Sequence, residues 1–198
     1  MIMNVLVACE ESQRVTIEFR KLGHRAFSCD IKPCSGGFPE WHIQDDALKV
    51  MRSFEWDLII AHPPCTYLTV AGAVNLVNSK GEIIDFSRYN EMLKAREFFM
   101  AFYNSSCRRV CIENPRPMKR ADLPQWSQVI QPYDFGDEFS KQTCLWLKGL
   151  PYLIPNVIEL NRRSPVGVKS WVELHRSASV RSKTFPGIAR AMAQQWNF

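Results

Sequence analysis

Asn4-Val5-Leu6-Val7-Ala8-Cys9, then Ser12 through Leu22, then Arg25-Ala26-Phe27-Ser28-Cys29 form the stretch on which the fold turns. The first run is short and continuously apolar, as a strand buried on both faces of a parallel sheet must be. Val15, Ile17, Phe19 and Leu22 recur at helical spacing, and Gly23 marks the stop. A strand, a helix and a second strand within about 30 residues open a parallel α/β sheet with helices on its faces.

Working outward, the pattern repeats. Asp30 stands at the carboxyl end of the second strand, before a turn-rich loop through Pro33, Gly36-Gly37 and Pro39. Asp45-Asp46 precede a short helical stretch, and Trp56 to Ala61 reads as the next strand. Residues 66 to 88 are polar and small and read as a mobile loop, Tyr89 to Tyr103 as an amphipathic helix, and Arg109 to Ile112 as a strand ending at Glu113-Asn114-Pro115. Trp126 to Phe135 and Thr143 to Lys148 look like late strands, and Pro186 to Trp196 like a closing helix with proline in its first turn. No repeat or linker divides the chain, so residues 1 to 198 read as one domain of mostly parallel α/β architecture.

Composition narrows the class. The apolar and charged fractions, 46% and 23%, are those of a globular protein. No apolar run approaches the ~18 residues a membrane span needs. Glu10-Glu11 interrupt the first apolar run and no basic region precedes it, so neither a leader nor a membrane partner is expected and the compartment is expected to be the cytoplasm. Seven scattered cysteines suit neither a disulfide framework nor a zinc ribbon. Cys107 with Cys111, and His62 with Cys65, come nearest to ligand spacing, but Pro63-Pro64 and the strand context orient them poorly for one ion, so no metal is expected. The net charge of +5 is uneven: residues 1 to 104 carry 11 basic and 13 acidic side chains, the remainder 14 and 7. Arg108-Arg109, Arg116, Lys119-Arg120, Arg162-Arg163, Lys169, Arg176, Arg181 and Lys183 could face phosphates, or could be an ordinary solvated surface.

The chemistry is concentrated at strand ends. In His62-Pro63-Pro64-Cys65 two prolines fix φ and remove two donors, which ends the strand and holds the next side chain in a defined place. Cys65 is thus a candidate nucleophile, although a buried inert thiol in a Pro-containing turn reads the same way in isolation. Cys9-Glu10, Asp30, Pro63 to Cys65 and Glu113-Asn114 all fall at carboxyl ends of strands, the rim where open α/β sheets bind ligands.

The order of these features resembles the cytosine-C5 DNA methyltransferase family, and particularly its very small phage and prophage members, over nearly the whole chain. Asp57 to Gly72 looks like that family's nucleophile motif, and Val110-Cys111-Ile112-Glu113-Asn114-Pro115 like its Glu-Asn strand, with Glu113 about 48 residues after Cys65. Phe135-Gly136 and Lys141-Gln142-Thr143 leading into Leu145-Trp146-Leu147 are similar to a later strand motif. Arg181 to Gly187 with the helix after it looks like the segment that closes the cofactor pocket.

The resemblance implies a Rossmann-like fold that binds S-adenosylmethionine, and covalent chemistry at cytosine. Cys65 would add to C6, Glu113 would protonate or hydrogen-bond N3, and Asn114 would orient Glu113 or the loop. Cys9, Glu10, Asp30, Ile31, Asp46, Pro63 and Thr184 would line the cofactor site, with Asp30 on the ribose hydroxyls and Asp46 or Asp45 at the adenine. Turn capping by Asp30, a helix N-cap at Asp46 and a plain helix start at Thr184 remain alternatives. Pro64, Thr66, Lys141 and Thr143 would contact the base. Nucleic acid, DNA before RNA, is the implied partner.

The chain departs from the family in three places. The turn Ala8-Cys9-Glu10-Glu11-Ser12-Gln13 contains no glycine, which keeps its backbone farther from a cofactor. Lys141 and Thr143 stand where two arginines are usual. About 30 residues separate Lys148 from Arg181, too few for a target-recognition domain, so low sequence selectivity and a separate recognition partner are expected. Three other readings compete. Methyl transfer to an exocyclic nitrogen is poorly served by His62 and Cys65. RNA or a free pyrimidine nucleotide could replace DNA. A non-catalytic nucleic-acid-binding or regulatory protein would keep the shell without needing Cys65 or Glu113.

Overall fold

The computed structural model describes residues 1–73, 76–78, 80–156, 169–174 and 177–198. Strands β1 (Asn4–Ala8), β2 (Arg25–Asp30), β3 (His42–Gln44), β4 (Leu58–Ala61), β5 (Val110–Asn114), β6 (Gln128–Ile130) and β8 (Thr143–Lys148) form a seven-stranded sheet in the order β3-β2-β1-β4-β5-β8-β6. The first five are mutually parallel, and β8 runs antiparallel between β5 and β6, so the sheet is mixed. The 3-2-1-4-5 core is the order of a doubly wound sheet, whose switch point lies between β1 and β4.

Alternation along the strands explains why both faces are covered. Val5, Val7, Leu58, Ile60, Cys111 and Leu145 point to one face and pack on α1 (Arg14–Lys21) and α7 (Pro186–Gln195) through Val15, Phe19, Ile188 and Met192. Leu6, Ala8, Ile59, Ala61, Ile112 and Trp146 point to the other and meet α2 (Ala47–Ser53) and α4 (Phe86–Tyr103) through Val50, Met92, Phe99 and Phe102. Buried on both faces, β4 carries no polar residue and β1 only the half-buried Asn4 at its start, which is why both read as strands in the sequence.

Several boundaries move, each for a local reason. The strand expected through Phe135 stops at Ile130, because Pro132 cannot donate to a ladder and the Gln131/Asp134 capping box starts a 3₁₀ turn at Pro132–Phe135. Helix α4 begins three residues early, where the Asp85 carboxylate accepts from Arg88 N at 2.9 Å. Strand β3 is only three residues long and is defined by its pairing with Ser28 to Asp30.

The segment expected to be a mobile loop after Cys65 is instead tied down. Leu68 and Leu76 are buried, Met118 N donates to the Leu68 carbonyl at 2.7 Å, and Thr69 bridges to Pro117. A one-turn helix α3 (Val70–Ala73) follows, and a Cβ on its Gly72 would lie 2.5 Å from the Thr66 carbonyl oxygen, so only glycine lets it come this close. Beyond the main sheet, β7 (Phe139–Ser140) pairs with β9 (Lys169–Ser170), and the short helices α5 (Trp171–Leu174) and α6 (Ala178–Arg181) lead to α7. Among the described residues no helix is long and apolar enough to cross a membrane.

Candidate active site

The parallel strands bring their carboxyl ends to one rim, and the expected residues divide between two halves of it. On the β1–β2–β3 side stand Cys9, Asp30, Ile31 and Asp46. Cys9 follows β1 with φ of 60°, and its thiol is pushed up by burial and then by the negative charges of Asp30 and Asp46, which places the three within electrostatic reach. Asp30 uses one oxygen to accept from Lys32 N at 3.0 Å, the expected turn cap, and remains half-buried; its neighbour Ile31 is 74% exposed. Asp46 is the N-cap of α2, accepting from Leu48 N and Lys49 N.

Glu10 is turned inward instead. Its carboxylate accepts from Val15 N at 2.7 Å, from Thr16 N at 3.3 Å and from Thr16 Oγ1 at 2.8 Å, capping α1 from within the turn. Burial pushes this carboxyl up, and the His62 imidazole with the Val15 and Thr16 donors pulls it back. The glycine-free turn is made with two non-glycine residues in the left-handed region, Cys9 and Gln13. Gln13 is fully buried and holds both the N–H and the carbonyl of Phe38, which stitches the turn to the loop after β2.

On the β4–β5–β8 side the side chains engage one another. Cys65 is half-buried; its carbonyl accepts from Leu68 N and Thr69 N, which closes a turn behind the thiol. Burial pushes this thiol up and the Glu113 charge adds to it, while Lys141 and Arg181 pull it down. Glu113 accepts from His62 Nδ1 at 3.0 Å, and the Thr143 hydroxyl, which donates to the Lys141 carbonyl at 3.1 Å, lies close enough to act on its charge. Burial alone would raise the Glu113 carboxyl, but the bond from His62, the Lys141 charge and the Thr143 hydroxyl outweigh it and hold the carboxyl below its usual range. Asn114 donates Nδ2 to the Pro63 carbonyl at 2.9 Å, clamping the Pro-Pro segment to β5. Pro63 is buried, whereas Pro64 and Thr66 are exposed beside Cys65.

The C-terminal motif reaches the rim as well. Lys141 Nζ donates to the Arg181 carbonyl at 2.9 Å, and Arg14 Nη1 of α1 donates to the Thr184 carbonyl at 2.7 Å. Gly187 lets α7 start close to the 3₁₀ turn before β7: its N–H donates to Asp137 at 3.0 Å, and a Cβ there would lie 2.1 Å from the Phe135 carbonyl oxygen.

Sequence reasoning named His62 only as a poor metal ligand beside Cys65 and Arg181 only as a phosphate-facing or surface residue and part of the C-terminal motif, and it did not name Arg14. The pairing of His62 with Glu113 comes from the strand register: Ile60 pairs with Cys111 and Ala61 with Ile112, so one further step sets His62 opposite Glu113 on the same face. Cys107 and Cys111 do not converge on an ion: the Cys107 thiol donates to the carbonyls of Trp56 and Arg109, and Cys111 lies in the core. Of the basic residues, Arg109 and Arg116 lie over the rings of Phe198 and Trp126, and Arg120 donates to the Gly81 carbonyl, so they do not form one free stripe. Arg162-Arg163 and Arg176 lie outside the described residues.

Comparison with family models and with curated proteins gives no match. Among solved structures, the chain is similar to an E. coli protein whose crystal structure is titled as a DNA modification methyltransferase encoded within a prophage. The two share 13% identity over 79% of this chain at a TM-score of 0.49, and the chain spans 52% of that protein's length.

Proposed function

We propose that this chain transfers a methyl group from S-adenosylmethionine to C5 of cytosine in nucleic acid, DNA before RNA, through a covalent adduct on Cys65. The observation that carries this reading is the placement of Cys65 and Glu113 by the adjacent parallel strands β4 and β5 on one rim, with the Glu113 charge acting on the thiol. Cytosine C5 is a poor nucleophile. A sulfur adding at C6, with a carboxyl group at N3 to absorb the charge, turns the ring into an enamine able to attack a methyl group.

The residues present suit a cofactor without phosphates. In dinucleotide-binding sheets the helix after β1 offers its N-terminal N–H groups to a pyrophosphate. Here the Glu10 carboxylate already occupies that end of α1 and would repel a second anion. Asp30 would hold ribose hydroxyls, the exposed Ile31 would cover the adenine, and Cys9, Asp46, Pro63 and Thr184 would complete the pocket. When bound, S-adenosylmethionine would supply the electrophilic methyl group.

The protein side chains do the rest. Lys141 and Arg181 pull the Cys65 thiol toward its reactive thiolate and offer positive charge to a phosphate backbone. Asn114 keeps the Pro63-Pro64 segment, and with it the sulfur, in place. Thr143 and Lys141 act on Glu113 where the base edge would dock, and the exposed Pro64 and Thr66 beside Cys65 would contact the base as well. The target base must be flipped out or single-stranded. Residues 1 to 198 would act as one catalytic unit with low intrinsic selectivity, a separate partner supplying sequence recognition.

The test is incubation with methyl-labelled S-adenosylmethionine and, in separate arms, duplex DNA, single-stranded DNA, RNA and dCMP. Label on cytosine C5 with the wild type and none with Cys65→Ala is the expected result. Label that survives Cys65→Ala overturns the nucleophile, and no label in any arm overturns the reaction.

A further inference from the structure

We infer that His62 is a positioning residue that supplies, through Glu113, the proton that cytosine N3 takes up as Cys65 adds to C6. The inference rests on the methyltransferase reading and deepens it.

The geometry comes from strand alternation. His62 extends β4 by one residue, and its N–H still bonds the Ala8 carbonyl of β1 at 2.9 Å. Its side chain therefore follows Leu58 and Ile60 toward the α1 and α7 face, where the register sets it opposite Glu113. The two side chains are 7% and 11% exposed, with 3.0 Å between Nδ1 and Oε2. A hydrogen bond to an ionised carboxylate requires the proton on Nδ1. The other ring nitrogen, Nε2, is buried and has no hydrogen-bond partner among the described residues. Buried polar atoms in a purely structural role are almost always paired, and unpaired ones concentrate where chemistry is done.

Charged and titratable groups face the ring from every element packed against it. Glu113 faces it from β5, and Glu10 feels it from the turn after β1. Lys141 before β8 acts on Glu113, and Cys65 on the histidine's own loop meets the Glu113 charge.

The need for such a donor follows from Glu113 itself. Held ionised in the free protein, it has no proton of its own to give. In the addition step a sulfur electron pair forms the S–C6 bond, and the displaced π pair builds charge at N3. One proton leaves Nδ1 for Oε2, and the carboxyl group so formed passes that proton on to N3. The histidine ends neutral, the carboxylate ends as it began and N3 carries the proton. The enamine pair then makes the C5–methyl bond. The C5 proton leaves to solvent, the S–C6 bond breaks, and the N3 proton returns by the same path.

The test compares full-length wild type with His62→Gln and His62→Asn, which can hydrogen-bond Glu113 but cannot carry its proton. Steady-state methylation of a cytosine-containing oligonucleotide is followed across pH, with thermal melts to check folding. In the wild type kcat falls as pH rises through the range where imidazolium gives up its proton. Both variants are expected to lose about a hundredfold or more in kcat with KM little changed, and to lose that pH dependence. A folded variant with wild-type kcat and profile overturns the inference and leaves the methyltransferase reading standing. Nitrogen-15 imidazole NMR of the resting wild type supplies a readout independent of turnover. A proton on Nδ1 that is lost from this position in Glu113→Gln supports the relay, and a proton resting on Nε2 instead overturns it. A wild type with its proton on Nδ1 but no methylation of any substrate overturns the reaction and the relay together.

Discussion

The two halves of the rim hold their polar side chains in opposite ways. On the β1–β2–β3 side each acid serves its own neighbourhood: Glu10 caps α1, Asp30 caps the turn to Lys32, and Asp46 caps α2. On the β4–β5–β8 side the partners come from far apart in sequence, with His62 on Glu113, Lys141 acting on Glu113 and Cys65, and Asn114 on Pro63. A half built from local caps leaves open surface, Ile31 included, for a ligand to cover. A half built from cross-strand pairs is preorganised and partly dry, which strengthens each charge in it.

The comparison predicts unequal sensitivity to substitution. The largest effect is expected for Glu113→Gln, which removes the carboxyl proposed to act at N3: kcat should fall about 10²- to 10⁴-fold with substrate affinity nearly unchanged. An equal loss in kcat and affinity, read from single-turnover and binding curves, would assign Glu113 a binding role. Next is Glu113→Ala, which takes from His62 and Lys141 the carboxylate that each faces and should cost about 3 kcal/mol in urea unfolding. The sign with pH follows from the depressed carboxyl. Its contribution is present above the unfolded-state value and lost as pH falls through the lower folded-state value, so the deficit of the alanine variant should shrink in acid.

Gly72→Ala tests the tie between Cys65 and α3. The added Cβ meets backbone that cannot swing away, so a loss of about 1–3 kcal/mol is expected in thermal melts, with slower methylation from a displaced Cys65 loop. The smallest effect belongs to the cap half. Asp46→Ala should lose about 1 kcal/mol through its helix cap, while Asp46→Asn keeps the cap and should be neutral in stability. Calorimetry with S-adenosylmethionine then separates the roles: weaker binding by the asparagine variant marks a cofactor contact, and unchanged binding leaves Asp46 a cap alone.

Legibility followed the range of the interaction. The β1–α1–β2 unit, β4 and α7 could be read because continuous burial, helical spacing, Gly23 and Pro186 are written in neighbouring residues. Asp46 as a cap was readable for the same reason. His62 was read mainly as an awkward ligand next to Cys65, because nothing within its own segment points to Glu113, 51 residues away. Glu10 looked like a ligand at a strand end, and only the path of the turn, with Cys9 and Gln13 left-handed, aims it at α1. The segment after Cys65 reads as mobile because its small polar residues hide Leu68 and Leu76, whose backbone carbonyls accept from the distant Met118 N and from Ile84 N.

Sequence by itself determined a doubly covered α/β sheet, a stiff Pro-Pro-Cys strand end and a Glu-Asn pair at the next strand end. Those features follow from periodicity and backbone restriction, which act over a few residues. Tertiary structure alone decided that His62 meets Glu113, that Lys141 and Arg181 bring charge to the Cys65 thiol, and that Glu10 closes the end of α1. Each of these depends on strand register and on which face a side chain leaves, and a one-residue slip would separate every pair.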